Sequence, residues 1–233
     1  MYGGYYYIGI DASWFVFLII ALAVSIYAQF KVSSAFNKYL KVPSSSNYTG
    51  RDVARILLDR NGLYDVRVEL IPGDLTDHYD PRHRVVRLSR KVYDGSSIAS
   101  VSVAAHEVGH ALQHAEGYFP LILRNNLAPI VSFGSRFVWL LIILGFAISP
   151  FYLELGIALY IGIVLFQVIT LPVEFNASRR ALYQLENGLV YQSEIGSSKE
   201  VLSAAALTYV AATLVAIAEL LRLLVLLGGR RDD

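Results

Sequence analysis

Three histidines recur at four-residue intervals in VAAHEVGHALQHAEG, residues 103–117, and a glutamate directly follows the first of them. On an α-helix, residues four apart lie on one face about 6 Å from each other, so His106 and His110 can direct their rings at one metal ion. Glu107, one position further round, then reaches a water molecule on that ion. Zn²⁺ with an adjacent carboxylate base suits peptide-bond hydrolysis. The pattern predicts His106 and His110 as metal ligands and Glu107 as general base.

His114 extends the series but lies two helical turns, about 12 Å, from His106, too far for both rings to bind one ion. A glycine turn leading to a third histidine is absent, because the sequence after His110 reads ALQHAEG. We therefore expect His114 to lie at the surface or to support a ligand without binding the metal. His78, in the turn-rich segment DHYDPRH, is expected either to donate to a developing oxyanion or to be solvated.

A third metal ligand must come from elsewhere, and the absence of cysteine restricts it to His, Asp or Glu. Glu174, in LPVEFNASRRALYQLE, follows the third apolar stretch on the same side of the membrane as the histidines. Two His and one Glu leave the fourth position of a zinc ion open, as in catalytic sites. Glu174 is a candidate ligand, although a glutamate before Arg179 and Arg180 is also typical of a charged membrane border.

The elements that must position these residues are largely membrane helices. Of the 233 residues, 55% are hydrophobic, and the mean hydropathy is +0.47, too apolar for an ordinary soluble domain. The apolar stretches predict a mainly α membrane protein with about four transmembrane helices: residues 12–30, a hairpin of two helices over 127–172, and residues 201–227.

Two features of these spans leave alternatives open. The first arm of the hairpin is either a full span, which places Arg136 at membrane depth, or a re-entrant segment. In the fourth span, Glu219 and Arg222 lie three residues apart on one helical face and are expected to pair.

The basic residues predict an orientation. Of the 20 Lys and Arg, those outside residues 31–125 and 174–200 are Arg136, Arg222, Arg230 and Arg231. Loops rich in Lys and Arg remain in the cytoplasm. We therefore expect the histidine motif and Glu174 to face the cytoplasm and both termini to lie outside.

The large loop, residues 31–125, reads as an α+β region. TGRDVARILLDRNGL is typical of an amphipathic helix with Thr49 as N-cap and Asp52 at the third position. VRVELI and RVVRLS, beginning at Val66 and Arg84, have strand composition and predict a β-hairpin or small sheet.

Two further helices are expected to carry the site. The HEVGH motif lies on a predicted helix over residues 96–116, capped by Ser96 or Ser97. Glu174 opens a juxtamembrane helix predicted over residues 173–200, beyond Pro172, which is expected to end or kink the third span.

The chain resembles the YugP-type neutral zinc metallopeptidases, a family of bacterial membrane proteins, over nearly its full length. The resemblance rests on the segments YAQFKV, TGRDVARILLDRNGL, LTDHYDPRHRVVRLS, VAAHEVGHALQHAEGY, LPVEFNASRRAL and LSAAALTYVAA. The family is similar in site layout to gluzincin membrane proteases of the HtpX type, whose third zinc ligand is a Glu in an E-F-x-A-D-like helix. The resemblance implies a cytoplasmic zincin-like metalloprotease domain in which His106, His110 and Glu174 bind Zn²⁺ and Glu107 is the base.

One residue departs from the HtpX-like layout. Four residues after the glutamate, where that layout has Asp, this chain has Ser178. A carboxylate that would orient a histidine ligand is missing there, and we expect Asn176 or another residue to take its task.

These observations favour a zinc endopeptidase of the bacterial cell membrane that acts on proteins or peptides. We expect an extended peptide to lie along an edge strand near residues 84–88. Arg179, Tyr209 and His78 are candidate donors to the transition state. The net charge of only +1 gives no indication of a nucleic-acid partner; the bilayer is the expected partner, with other membrane proteins or further copies of the chain left open.

Three other functions stay open. A metal-binding, non-catalytic scaffold that organises other membrane proteins would keep the histidines without needing Glu107. An intramembrane protease would place the motif inside a span, yet the preceding SSIASVSVAA is polar. A transporter or channel would need more charged groups along its spans.

Overall fold

A computed structural model describes residues 12–229 of the chain, with side chains over 17–228. The elements in this part of the chain are α1 (Ala12–Leu40), α2 (Gly50–Arg60), β1 (Arg67–Ile71), β2 (His78–Asp80), β3 (Val85–Ser89), α3 (Arg90–Tyr93), α4 (Ile98–Ala115), α5 (Phe119–Ala147), α6 (Pro150–Glu186) and α7 (Gln192–Gly229). Both termini, with Arg230 and Arg231, lie outside the described residues, so their predicted location stays a prediction.

Four helices of the described chain are long and apolar enough to cross a membrane, as the sequence predicts. They are Phe17–Leu40 within α1, the whole of α5 and α6, and Gln192–Gly228 within α7. α5 is continuous over 29 residues, about 43 Å at the rise of an α-helix, which exceeds the roughly 30 Å hydrocarbon core of a bilayer. Its length is therefore sufficient for a full span.

α5 and α6 form a tight antiparallel hairpin. The hydroxyl of Ser149 caps α6 by accepting from the amide of Phe151. Close packing of the two arms requires a glycine, because a Cβ at Gly145 would lie 2.5 Å from the Cβ of Leu153. The hairpin thus sets residues at equal distances from the turn beside one another.

α6 does not end at Pro172. We predicted a span ending at residue 172 and a separate helix over 173–200, whereas one helix runs to Glu186 and the next begins at Gln192. A proline removes a single backbone donor, and neighbouring helices compensate for that loss in membrane proteins. Glu174 consequently lies on the same rigid helix as the third apolar stretch.

The three strands form one sheet in the order β1-β3-β2. β1 pairs with β3 in parallel, and the short β2 between them pairs antiparallel with β3. Of the two predicted arrangements, the small sheet is therefore present and a hairpin of β1 with β3 is not. β3 is paired on both sides, and the expectation of an edge strand over residues 84–88 is therefore wrong. β2 is an edge strand and packs against α4.

The sheet, α2 and α4 share one buried core. The side chain of Thr49 accepts from the amide of Asp52 and the Asp52 carboxylate accepts from the amide of Thr49, which confirms the predicted cap of α2. Leu57 of α2, Leu88 of β3 and Val108 of α4 belong to the same hydrophobic cluster. This core fixes α4 against the sheet.

The charged pair predicted in the fourth apolar stretch is present on α7. Arg222 donates from Nε to Glu219 Oε2 over 2.9 Å. Pairing lowers the cost of keeping both charges in an apolar segment.

Candidate metal site

α4 presents the two motif histidines on one face. The helix begins after Ser97, whose hydroxyl accepts from the amide of Ser100 and so confirms one of the two predicted caps. The rings of His106 and His110 meet edge to face with centroids 4.8 Å apart. The four-residue spacing thus places both imidazoles at one point, as the helix geometry requires.

A close crossing of α4 and α6 brings Glu174 to the histidines. A Cβ at Gly109 of α4 would lie 2.6 Å from the carbonyl oxygen of Ala177 on α6. Gly109 is one of the two variable positions of the HEVGH motif, and only a residue without a side chain permits this approach. The sequence therefore specifies the crossing from within the motif itself.

His106, His110 and Glu174 form a candidate metal site. Their ligand atoms all lie within 4.8 Å of one another. Glu174 Oε2 lies 3.3 Å from His106 Nε2 and 3.6 Å from His110 Nε2. Two imidazole nitrogens and a carboxylate oxygen that converge at a largely buried point are a donor set that fits Zn²⁺.

A chain of hydrogen bonds decides which nitrogen of His110 faces this site. Arg180, which can only donate, gives its Nε–H to Asn176 Oδ1 over 2.7 Å, and Gln113 Nε2 donates to the same oxygen. Gln113 Nε2 also donates to the Val173 carbonyl. Its Oε1 therefore accepts from His110 Nδ1, 3.0 Å away. His110 Nε2 is left with its lone pair for a metal ion.

Ser178 holds the other histidine. Its hydroxyl lies 3.2 Å from His106 Nδ1, and accepting the Nδ1 proton leaves the His106 Nε2 lone pair directed at the site. The position of the missing Asp is thus occupied by a residue that contacts the histidine, although an uncharged oxygen is a weaker acceptor than a carboxylate. Asn176, the expected substitute, instead acts on His110 through Gln113.

Gln113→Leu is expected to weaken Zn²⁺ binding by about 10- to 100-fold, because His110 then loses the acceptor that fixes its tautomer and orientation. Competition with a chromophoric chelator measures the affinity on protein that elutes as folded from size-exclusion chromatography. Gln184→Leu, on α6 and hydrogen-bonded to Asn61, is the matched control. Equal affinities of the two variants would show that His110 does not depend on Gln113.

Glu107 lies beside the candidate metal site and is 7% exposed. Burial raises the pKa of its carboxyl group to about 7; a charge on His106 lowers this pKa, and the carboxylates of Glu174 and Asp77 raise it. A carboxylate in this position can accept a proton from a water molecule bound at the site.

Two further histidines lie apart from the candidate ligands. His114 Nδ1 is 2.8 Å from the hydroxyl of Tyr79, which joins α4 to the edge strand β2. His78 Nδ1 is 2.8 Å from the carbonyl of Thr76 in the preceding loop. His114 is not among the converging ligand atoms, and a role of His78 in the transition state stays a prediction.

The other candidate donors differ in their surroundings. Arg179 is exposed on α6. Tyr209 of α7 is close enough to Glu174 and Glu107 for electrostatic interaction with both. Tyr209 therefore lies near the candidate site, whereas the side chain of Arg179 is exposed; both roles stay predictions.

Two residues at the site were not recognised in the sequence as part of it. Gln113 follows His110 by three positions on α4, so the helical period could have indicated their contact. Arg124 of α5 donates from Nη1 to Glu174 Oε1 over 3.0 Å. No local pattern points to Arg124, because its contact joins two arms of a hairpin.

Comparison with known families supplies an independent observation on this arrangement. Residues 14–228 match the profile of a family described as "Putative neutral zinc metallopeptidase". The chain belongs to this zinc metallopeptidase family. It is also 54% identical over 222 residues to the "Putative membrane protease YugP" of Bacillus subtilis (strain 168), an alignment that covers 94% of this chain and 99% of that relative. No solved structure matches the chain.

Membership of the zinc metallopeptidase family confirms the resemblance seen in the sequence and the choice of zinc as cofactor. His106, His110 and Glu174 provide the candidate site for that ion. The match to a membrane protease agrees with the four apolar helices of the described chain.

Proposed function

We propose that this protein is a membrane-embedded zinc endopeptidase that hydrolyses peptide bonds of protein substrates with Glu107 as general base. The observation that carries the proposal is the convergence of two histidine Nε2 atoms and one carboxylate oxygen from α4 and α6 within 4.8 Å. Glu107, buried beside them, adds the proton acceptor that a purely metal-binding protein does not need.

The proposed reaction assigns a task to each residue. Zinc held by His106, His110 and Glu174 would supply the Lewis acidity that activates water and polarises the scissile carbonyl. Glu107 takes the proton of the attacking water and delivers it to the nitrogen of the leaving amine, which alternates the carboxylate between its charged and neutral forms. Tyr209 donates its hydroxyl proton in a hydrogen bond to the developing oxyanion.

The substrate is proposed to lie along β2 as an extended strand. Support comes from two observations: β2 is an edge of the sheet, and the Tyr79 side chain is tied through His114 to α4, the helix that carries the two motif histidines. An added strand binds through main-chain hydrogen bonds, which suits a protease that acts on varied sequences.

An inhibitor that mimics an extended peptide is expected to slow amide exchange at residues 78–80 more than at residues 67–71. Hydrogen exchange with mass spectrometry compares the free and inhibited protein. Slowing at β1, the opposite edge, with no change at β2 would contradict the proposed substrate position.

The site is proposed to face the cytoplasm of a bacterial cell. Support comes from the concentration of Lys and Arg in residues 31–125 and 174–200, since such residues remain on the cytoplasmic side. The bacterial source of the relative named above agrees with this location.

The proposed function is tested on the full chain in detergent, by metal content and by cleavage of an unfolded test protein. We expect about one Zn²⁺ per chain, in line with a site of three protein ligands, loss of cleavage on chelation and its return with added zinc. Stoichiometric zinc without cleavage in detergent or in vesicles would favour the scaffold function, and absence of zinc binding would contradict both.

A further inference from the structure

Arg124 is a cation in contact with Glu174, one of the candidate metal ligands. It is 22% exposed, whereas the Glu174 side chain that it meets is 4% exposed. Its other nitrogens, Nε and Nη2, are 3.4 and 3.3 Å from the side-chain oxygen of Asn125. Asn125 therefore contacts one edge of the guanidinium, and the third nitrogen, Nη1, donates to the Glu174 carboxylate.

The geometry of the hairpin explains this contact. α5 and α6 meet at residues 148 and 149, and Arg124 and Glu174 lie about 35 Å from that turn along their respective helices. Equal distances along two antiparallel arms place the two side chains at the same depth. That distance exceeds the roughly 30 Å thickness of a hydrocarbon core, so a hairpin whose turn lies at one surface of the bilayer is long enough to carry the pair to the other surface.

The two oxygens of Glu174 have different partners. Oε2 lies 3.3 and 3.6 Å from the Nε2 atoms of His106 and His110. Oε1 accepts the hydrogen bond from Arg124 at 3.0 Å. One oxygen is thereby directed at the histidines and the other is already bound to a cation.

We propose that Arg124 is a positioning residue of the metal site, which reserves Glu174 Oε1 and leaves Oε2 as the single oxygen offered to the ion. This inference rests on the ligand set of the proposed function. A carboxylate that binds through one oxygen leaves the fourth position of zinc free for water, whereas a carboxylate that binds through both would occupy it.

A purely structural role of Arg124 makes a different prediction. If the guanidinium only neutralised a buried carboxylate, its loss would lower the stability of the protein but leave the number of metal ligands unchanged. The coordination number of the bound metal therefore separates the two roles, and it does so without reference to cleavage.

The test uses the full chain in detergent with Co²⁺ as a spectroscopic probe, because its visible absorption is stronger in four-coordinate than in five-coordinate sites. We expect four-coordinate cobalt in the wild type and in Arg124→Lys, which keeps a charge and a donor, and weaker, five-coordinate absorption in Arg124→Gln. Cleavage by the zinc form of Arg124→Gln is expected to fall about 10- to 100-fold. Arg136→Gln, an exposed position on the same helix, is the matched control and should resemble the wild type.

An unchanged cobalt spectrum in folded Arg124→Gln would overturn the inference. Zinc-edge X-ray absorption of the wild type provides a second measurement that does not depend on folding of a variant: four ligands are expected, and five would overturn the inference. A wild type that binds neither zinc nor cobalt would instead contradict the proposed function.

Discussion

Glu107→Gln is expected to retain zinc and to lose cleavage by about 10²- to 10⁴-fold, the usual contribution of a general base. Glutamine has nearly the volume of glutamate, so the buried position beside His106 stays filled while the proton acceptor is removed. The expected loss is in kcat, because Glu107 acts on the proton of the attacking water. Initial rates on a peptide released by the wild type, measured beside zinc content, test this result.

The matched control is Glu186→Gln, which changes an exposed glutamate at the end of α6. It should keep both zinc and cleavage. Cleavage by Glu107→Gln at the wild-type rate would remove Glu107 from the reaction. Loss of zinc from that variant would instead assign Glu107 to metal binding.

Glu174→Ala is expected to lower zinc affinity by more than about 100-fold. Loss of a residue that only orients a metal ligand lowers the affinity by up to about 100-fold, and loss of a proposed ligand should lower it further. The variant also leaves the Arg124 guanidinium without its carboxylate partner. Cleavage should be lost at zinc concentrations that saturate the wild type. Thermal unfolding gives a second measure, because zinc at 100 times its Kd stabilises a folded protein by about 2.7 kcal/mol.

Glu186→Ala, on the same helix, is the control for this variant. It should melt at a higher temperature with zinc than without it, as the wild type does, whereas Glu174→Ala should melt at the same temperature in both conditions. A zinc-dependent shift in Glu174→Ala equal to that of the wild type would show that the third ligand is another residue.

The contacts within the HEVGH motif can be predicted from residues that are close in the sequence. His106 and His110 share a face because of the helical period, and the capping residues Thr49 and Ser97 act on amides within three positions. Such contacts depend on local geometry alone. The same holds for Glu219 and Arg222 on α7.

The order of the strands in the sheet, by contrast, cannot be predicted from neighbouring residues. The composition of residues 66–71 and 84–89 indicated strands, but composition does not tell which strands pair. The short strand β2 lies between β1 and β3 in the sequence. In the sheet, however, β2 lies at an edge, and β3 pairs directly with β1. The sequence therefore does not identify which strands lie at the edges of the sheet.

By itself, the sequence determined the two histidines and the glutamate of the motif, the four apolar stretches and the concentration of Lys and Arg in residues 31–125 and 174–200. Each of these follows from a period, a length or a count along the chain. Only the tertiary structure decided that Glu174 meets His106, 68 positions away, and that Arg124 and Ser178 complete their surroundings. The reason is physical: these contacts arise where α4, α5 and α6 cross, and the crossing depends on packing at Gly109 and Gly145.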